Sequence, residues 1–227
     1  MFRFFVNEKQ ENFFILDDLT LNHIKTVRIK NENFICVYQG QFYLVKLVKN
    51  SNKAEIIVKI DGSNEPKNQV VLAIAVIKTK AFEFAIQKAV EIGVNEIWPF
   101  YSKNVSQKLN GDLTKKLKRW EQICLHSAQQ SFRNLVPKIN LPMNYRDVLQ
   151  KSENFPVKLI AFENEKSNTN FPETDQKTII MVGPEGGFEE TEIELAKKSN
   201  FQSVSLGKRI LRSETAAIFL LSKCIKD

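Results

Sequence analysis

Apolar and polar positions follow two different rhythms along the 227-residue chain. Up to residue 60, short runs rich in Phe, Ile, Val and Tyr (residues 3–6, 13–16, 34–38, 42–48 and 55–60) are cut by polar turns such as Gln39-Gly40-Gln41 and Asn50-Ser51-Asn52. Runs of that length and composition predict β-strands of a small β-barrel, with one short helix over residues 20–27. Asp61-Gly62-Ser63-Asn64-Glu65-Pro66-Lys67-Asn68 has the composition of a linker. The expected domains are therefore 1–68 and 69–227.

Beyond the linker the pattern changes. Residues 70–77 form an unbroken apolar run, as in a strand buried on both faces of a parallel sheet. Phe82, Ala85, Ile86, Ala89 and Val90 then recur at helical spacing and stop at Gly93. Strands are expected at 94–99, 157–162, 178–182 and 203–206, and helices at 113–131 and 214–226. Alternating strands and helices predict an α/β domain with a mostly parallel sheet.

Composition narrows the chemistry. The formal charge of +7 suits a polyanionic partner without requiring one. Cys36, Cys124 and Cys224 are too dispersed for a metal knuckle or disulfide framework and read as buried thiols. With His23 and His126 the only histidines, a His-Glu-x-x-His zinc site is excluded, and Gly-x-Ser-x-Gly, Gly-x-Gly-x-x-Gly and P-loop motifs are missing. No metal is expected. With neither an apolar run of about 18 residues nor a secretory signal pattern, a cytoplasmic location is expected.

Ligands of open α/β sheets bind beyond the carboxyl ends of the strands. Three segments occupy such places: Glu163-Asn164-Glu165, Gly183-Pro184-Glu185-Gly186-Gly187-Phe188, and Gly207-Lys208-Arg209-Ile210-Leu211-Arg212-Ser213-Glu214. The second can bring bare backbone amides against a small molecule or serve only as a tight turn before a helix, for which Thr191 and Glu194 fit a capping box. In the third, Arg209 and Arg212 make an electropositive spot before Ser213, the expected N-cap of the last helix. That helix carries Ala217, Ile218, Leu220, Leu221, Cys224 and Ile225, a stripe wide enough to suggest a homodimer contact.

These loops, in this order, resemble the cofactor site of SPOUT-class enzymes, and specifically RsmE-type 16S rRNA uridine-N3 methyltransferases. The resemblance rests on Val182-Gly183-Pro184-Glu185-Gly186-Gly187-Phe188 and on Leu206-Gly207-Lys208-Arg209-Ile210-Leu211-Arg212-Ser213-Glu214-Thr215-Ala216. The opening Met1-Phe2-Arg3-Phe4-Phe5-Val6, residues 23–28, 87–94 and 130–133, and Val136-Pro137 add support. It implies a PUA-like β-barrel, a SPOUT α/β domain with a trefoil knot, a homodimer, and S-adenosyl-L-methionine as methyl donor to N3 of one uridine, position 1498 in conventional rRNA numbering, in the small ribosomal subunit. It implies cofactor contacts from Leu159, Ala161, Phe162, Glu163, Val182, Gly183, Glu185, Gly186, Gly187, Leu206, Gly207, Arg209, Ile210, Leu211, Arg212, Glu214 and Ala216. Asn104, where many relatives carry Arg, Gln129 for a common Glu and Glu189 for a usual Ser are departures, whereas Ser213 keeps the hydroxyl of the commoner Thr.

On this resemblance Arg209 and Arg212 are the catalytic candidates, stabilising the anion left when uridine N3 loses its proton; Glu185, Glu214 and water stand open as proton acceptors. Expected RNA contacts are Arg3, Lys25, Arg28, Lys30 and Arg133, with the basic stretch 103–119. His23 matches a family position but is read as structural, and His126 carries no role. Two rivals stay open: a non-catalytic RNA-binding protein, and a nucleotide hydrolase, which would want a P-loop Lys and Ser/Thr where this chain has Phe188 and Glu189.

Overall fold

In the first part of the chain the strands sort by which side chains can reach a common interior. The computed structural model describes residues 1–29, 32–105, 111–165, 171 and 175–226. Strands β1 (Arg3–Phe5), β2 (Glu8–Gln10) and β3 (Phe13–Ile15), helix α1 (Asp18–Thr26), and strands β4 (Phe34–Tyr38), β5 (Gln41–Leu47) and β6 (Lys53–Ile60) come first. The six strands form one curled sheet in the order β1-β4-β5-β6-β3-β2, antiparallel except for the β1–β4 pair. Phe4, Phe14, Leu16, Ile24, Phe34, Cys36 and Val45 fill its core. α1 is capped by Asp17, whose carboxylate accepts the Thr20 N–H at 2.7 Å. This is the barrel half of the expected fold. β2, all polar and exposed, was not expected.

This first compact unit comprises residues 1–65 and 128–136. The later segment is fixed to the earlier one by charge. Glu65 accepts hydrogen bonds from Arg133 Nε and Nη2 and from the N–H groups of Asn134 and Leu135, at 2.8 and 3.0 Å for the last two. Arg3 lies over the Phe132 ring and donates to the Gln129 carbonyl at 3.4 Å. Burial lowers the Arg3 guanidinium pKa to about 10.

The second unit, residues 66–127 and 137–226, is the α/β half. It runs β7 (Val70–Ala75), α2 (Thr79–Ile92), β8 (Glu96–Tyr101), α3 (Leu113–Gln130, its last turn in the first unit), β9 (Lys138–Ile139), β10 (Met143–Asn144), α4 (Tyr145–Lys151), β11 (Val157–Ala161), β12 (Thr178–Val182), α5 (Glu190–Lys198), β13 (Gln202–Val204) and α6 (Ser213–Cys224). β10-β8-β7-β12-β11-β13 form a sheet, with β9 also on β8, and every pairing is parallel. β7 and β12 are buried along their whole length, as their unbroken apolar runs require. α2 ends at Gly93 as its spacing predicts.

Two helix starts differ from expectation. α5 begins at Glu190 with Glu189 as N-cap, and the carboxylate of Glu192, not Glu194, accepts the N-cap N–H at 3.1 Å. In α6 the N-cap is Arg212, and Ser213 is already helical and buried. α6 packs on α2, β7 and β12, so much of its apolar stripe is used inside this unit, with Ile218 and Phe219 left half-buried.

Candidate active site

Because β11 lies between β12 and β13 and all three run parallel, the segments that follow them emerge side by side. A single cleft is lined by Ala161 at the end of β11 and Phe162 and Glu163 after it, by Val182 at the end of β12 and Gly183, Pro184, Gly187 and Phe188 after it, and by residues 205–211 with Ser213 and Ala216 after β13. Its floor is apolar and buried, from Val182, Phe188 and Ala216, while Glu163, Lys208 and Arg209 are exposed at the wall. Phe188 stacks on Phe100 with centroids 6.3 Å apart, anchoring the glycine-rich loop to the core.

Two glycines are required here. Gly187 has φ +70°, which L side chains rarely adopt, and a Cβ on it would come within 2.6 Å of the Glu163 carboxylate and push that side chain aside. Gly207, which also lines the cleft, has φ +107°, and a Cβ on it would meet nothing within 4 Å, so its conformation and not its packing calls for glycine.

The glycine-rich loop is also held from the β8 side. The Glu192 side chain is buried and accepts from Ser102 Oγ, the Lys103 N–H and the Glu189 N–H, each at 3.1 Å. Lys103 Nζ meets the Glu189 carboxylate at 2.6 Å, which raises the pKa of that amine. Asn104 Nδ2 donates to the carbonyls of Gly186 and Gly187 at 3.4 Å each. Tyr145 donates to the Glu192 carbonyl at 2.6 Å, and burial, helped by the Glu192 charge, pushes its phenol well above the ordinary value.

Of the residues singled out from sequence, Ala161, Phe162, Glu163, Val182, Gly183, Gly187, Leu206, Gly207, Arg209, Ile210, Leu211 and Ala216 are brought together on the cleft. Leu159 is interior to β11 and fully buried. Glu185 turns away to accept the Lys78 N–H at 3.2 Å, and Gly186, Arg212 and Glu214 do not line the cleft. Pro184, Phe188, Ser205, Lys208 and Ser213 line it without having been chosen, although all but Ser205 stand inside the segments already singled out.

The expected RNA contacts divide. Lys25 and Arg28 are exposed on the first unit. Arg3 and Arg133 are not surface cations: they are 7% and 3% exposed, Arg3 over Phe132 and Arg133 on Glu65. Lys30 and residues 106–110 of the basic stretch lie outside the described residues. In that stretch Lys103 is engaged by Glu189 and Arg119 pairs with Glu83 at 3.2 Å, while Lys115 and Lys118 are exposed. Among the described residues no group of three or more His, Cys, Asp or Glu is arranged to hold a metal ion, and no helix is long and apolar enough to cross a membrane.

Comparison with known proteins bears on what the cleft is for. The RNA methyltransferase domain family matches residues 63–225. The ribosomal RNA small subunit methyltransferase E of Mesomycoplasma hyopneumoniae strain 232 is 79% identical, covering 100% of both chains. Its namesake from Buchnera aphidicola subsp. Acyrthosiphon pisum is 30% identical over 95% of this chain and 93% of its own. Among solved structures, the ribosomal RNA small subunit methyltransferase E of Neisseria gonorrhoeae, bound to S-adenosyl methionine, superposes with a TM-score of 0.87 at 32% identity, covering 98% of this chain and 95% of that one.

Proposed function

The chain belongs to the ribosomal RNA small subunit methyltransferase E family, and on that premise we propose that it transfers a methyl group from S-adenosyl-L-methionine, held in the cleft, to N3 of one uridine of 16S rRNA. The observation that carries this reading is the convergence of the three segments after β11, β12 and β13 on one cleft. The residues present fit the cofactor: the apolar surfaces of Val182, Phe188, Leu211 and Ala216 suit a flat heterocycle, and the Glu163 carboxylate suits hydroxyl donors. When bound, the cofactor supplies an electrophilic methyl group on a sulfonium.

The chain's own task is then to orient the acceptor and manage one proton. Uridine N3 is protonated at neutral pH, and the imide anion left by proton loss is stabilised by cations beside its carbonyl oxygens. Arg209, on the cleft wall, takes that role, with Arg212, off the wall at the start of α6, as the second candidate; guanidinium groups stay protonated and cannot serve as base. Glu185 and Glu214 lie off the cleft wall, as Arg212 does, and with water they stay open as proton acceptors. The uridine edge must be unpaired to enter.

Lys25 and Arg28 on the first unit and Lys115 and Lys118 on the second contact RNA phosphates in this reading. A homodimer covering Ile218 and Phe219 of α6, a trefoil knot in the second unit, and action in the cytoplasm belong to the same proposal. Mapping methylated nucleotides in 16S rRNA from cells with and without the protein tests it. Loss of a single N3-methyluridine is expected; an unchanged modification pattern overturns it. Calorimetry separates the rivals, with saturable binding of S-adenosyl-L-methionine expected and none of ATP.

A further inference from the structure

Residues 102–104, which follow β8, do not line the cleft, yet each of them is tied to the loop that does. Ser102 Oγ and the Lys103 N–H both reach the buried Glu192 carboxylate, whose other bond is to the Glu189 N–H at the end of the glycine-rich loop. Asn104 acts at the loop's crest, where the backbone comes so close that a Cβ on Gly186 would lie 3.1 Å from Asn104 Cβ and 3.2 Å from its carbonyl oxygen. There the carboxamide donates to two successive carbonyls. On the opposite side Gly187 rests against Glu163.

A glycine-rich loop has more backbone freedom to lose on binding than any other composition. One that is already held at its crest and its end loses less when a ligand arrives, and binds more tightly for it. We infer that residues 102–104 are a strap that presets the cofactor loop, with Asn104 a positioning residue for S-adenosyl-L-methionine that does not itself touch the cleft. The inference rests on the cofactor reading of the cleft and adds to it a residue that acts through the backbone carbonyls of Gly186 and Gly187.

Asn104→Asp is the informative variant. It keeps shape but replaces two N–H donors by an acceptor facing two carbonyls, while its negative charge would, if anything, favour a sulfonium cation nearby. Loss of two modest hydrogen bonds predicts about tenfold weaker S-adenosyl-L-methionine binding by calorimetry. Asn104→Ala behaves similarly. Because Asn104 is exposed and holds a single loop, the melting midpoint of the ligand-free protein falls by no more than about 5 °C, and KM for the cofactor rises while kcat at saturating cofactor holds. In the ligand-free protein, hydrogen exchange of amides 185–189 speeds up in both variants. Cofactor affinity within twofold of the unsubstituted chain in both variants overturns the inference. If the unsubstituted chain binds no S-adenosyl-L-methionine, the cofactor reading fails instead, and the strap itself is then decided by exchange: faster in the variants upholds it, unchanged rates overturn it.

Discussion

Arg133 distinguishes a structural reading from a functional one at a single side chain. By position in the sequence it is an RNA contact; in the fold its side chain is 4% exposed and it forks onto Glu65, itself 13% exposed. Glu65 also accepts the Asn134 and Leu135 N–H groups, so the carboxylate cannot swing out to water without breaking two further bonds. Arg133→Ala therefore strands a mostly buried charge, a loss of about 3–5 kcal/mol. In a domain the size of the first unit each kcal/mol moves the melting midpoint by about 4–8 °C, so a drop of about 12 °C or more is expected. Near-UV circular dichroism on heating measures it. Arg133→Lys keeps the charge but not the planar fork, and falls between the two. RNA affinity, measured below the transition, should keep its unsubstituted dependence on salt. A midpoint within about 2 °C of the parent protein, together with a shallower salt dependence, would refute the buried-pair argument.

Arg209→Ala and Arg212→Ala each lower methyl transfer by about 100-fold or more in a radiolabelled-cofactor assay, the scale of removing one preorganised donor to a developing anion, with melting unchanged. Replacing Lys115 and Lys118 together by Ala weakens RNA binding and lowers the slope of log affinity against log salt by about 2, read from filter binding across a salt series. At Glu96, burial alone would raise the pKa, but the Asn140 hydrogen bond at 2.6 Å and the charges of Lys151 and Lys138 outweigh it and leave a net lowering. A carboxylate so lowered contributes stability above its unfolded pKa and loses it as pH falls through its folded pKa. Glu96→Gln is accordingly less stable than the parent at neutral pH and equal to it once both are acidified below that range, as urea titrations at several pH values will report. All three thiols are buried, and burial pushes Cys224 up to about 12 and Cys36 further. A thiol reagent at pH 8 should label none of them in the native protein and all three in denaturant.

What could be read from the sequence was local. The apolar runs of β7 and β12 and the glycines after β12 and β13 each declare themselves within a few neighbouring residues, and so the α/β half and most of the cleft wall were legible. β2 was not, because Glu8, Lys9 and Gln10 are exposed and show no alternation. Nor were the caps. Glu189 and Glu192 have the same spacing as Thr191 and Glu194, and what selects the earlier pair is the burial of Glu192 against Ser102 and Lys103, about 90 residues back in the chain. The burial of Arg133 was not legible for the same reason: a surface arginine and one paired to a carboxylate 68 residues away look identical in sequence. Asn104 reads as a departure at a basic position until the Gly186 and Gly187 carbonyls are seen beside it.

Sheet order explains why a stretch as exposed as residues 207–210 becomes part of a binding site. β13 lies at the edge of the sheet, next to β11, whereas α6, the next element in the chain, packs on β7, β12 and α2 on the other side of β11. The connection from β13 to α6 must therefore cross the carboxyl ends of β11 and β12. In doing so it faces the turns that leave those two strands, which is where Glu163 and Gly187 meet. The cleft is thus a consequence of topology before it is one of side chains. Lys208 and Ile210, the latter 86% exposed, can vary in polarity without altering the crossing, so long as Gly207 keeps its positive φ. A Cβ at Gly207 would meet no protein atom within 4 Å, but at φ +107° a β-branched side chain is strained, so Gly207→Val should lower the melting midpoint and, assayed well below that midpoint, weaken S-adenosyl-L-methionine binding as the crossing shifts. Full cofactor binding below a lowered midpoint would mean that the crossing serves the fold and not the ligand.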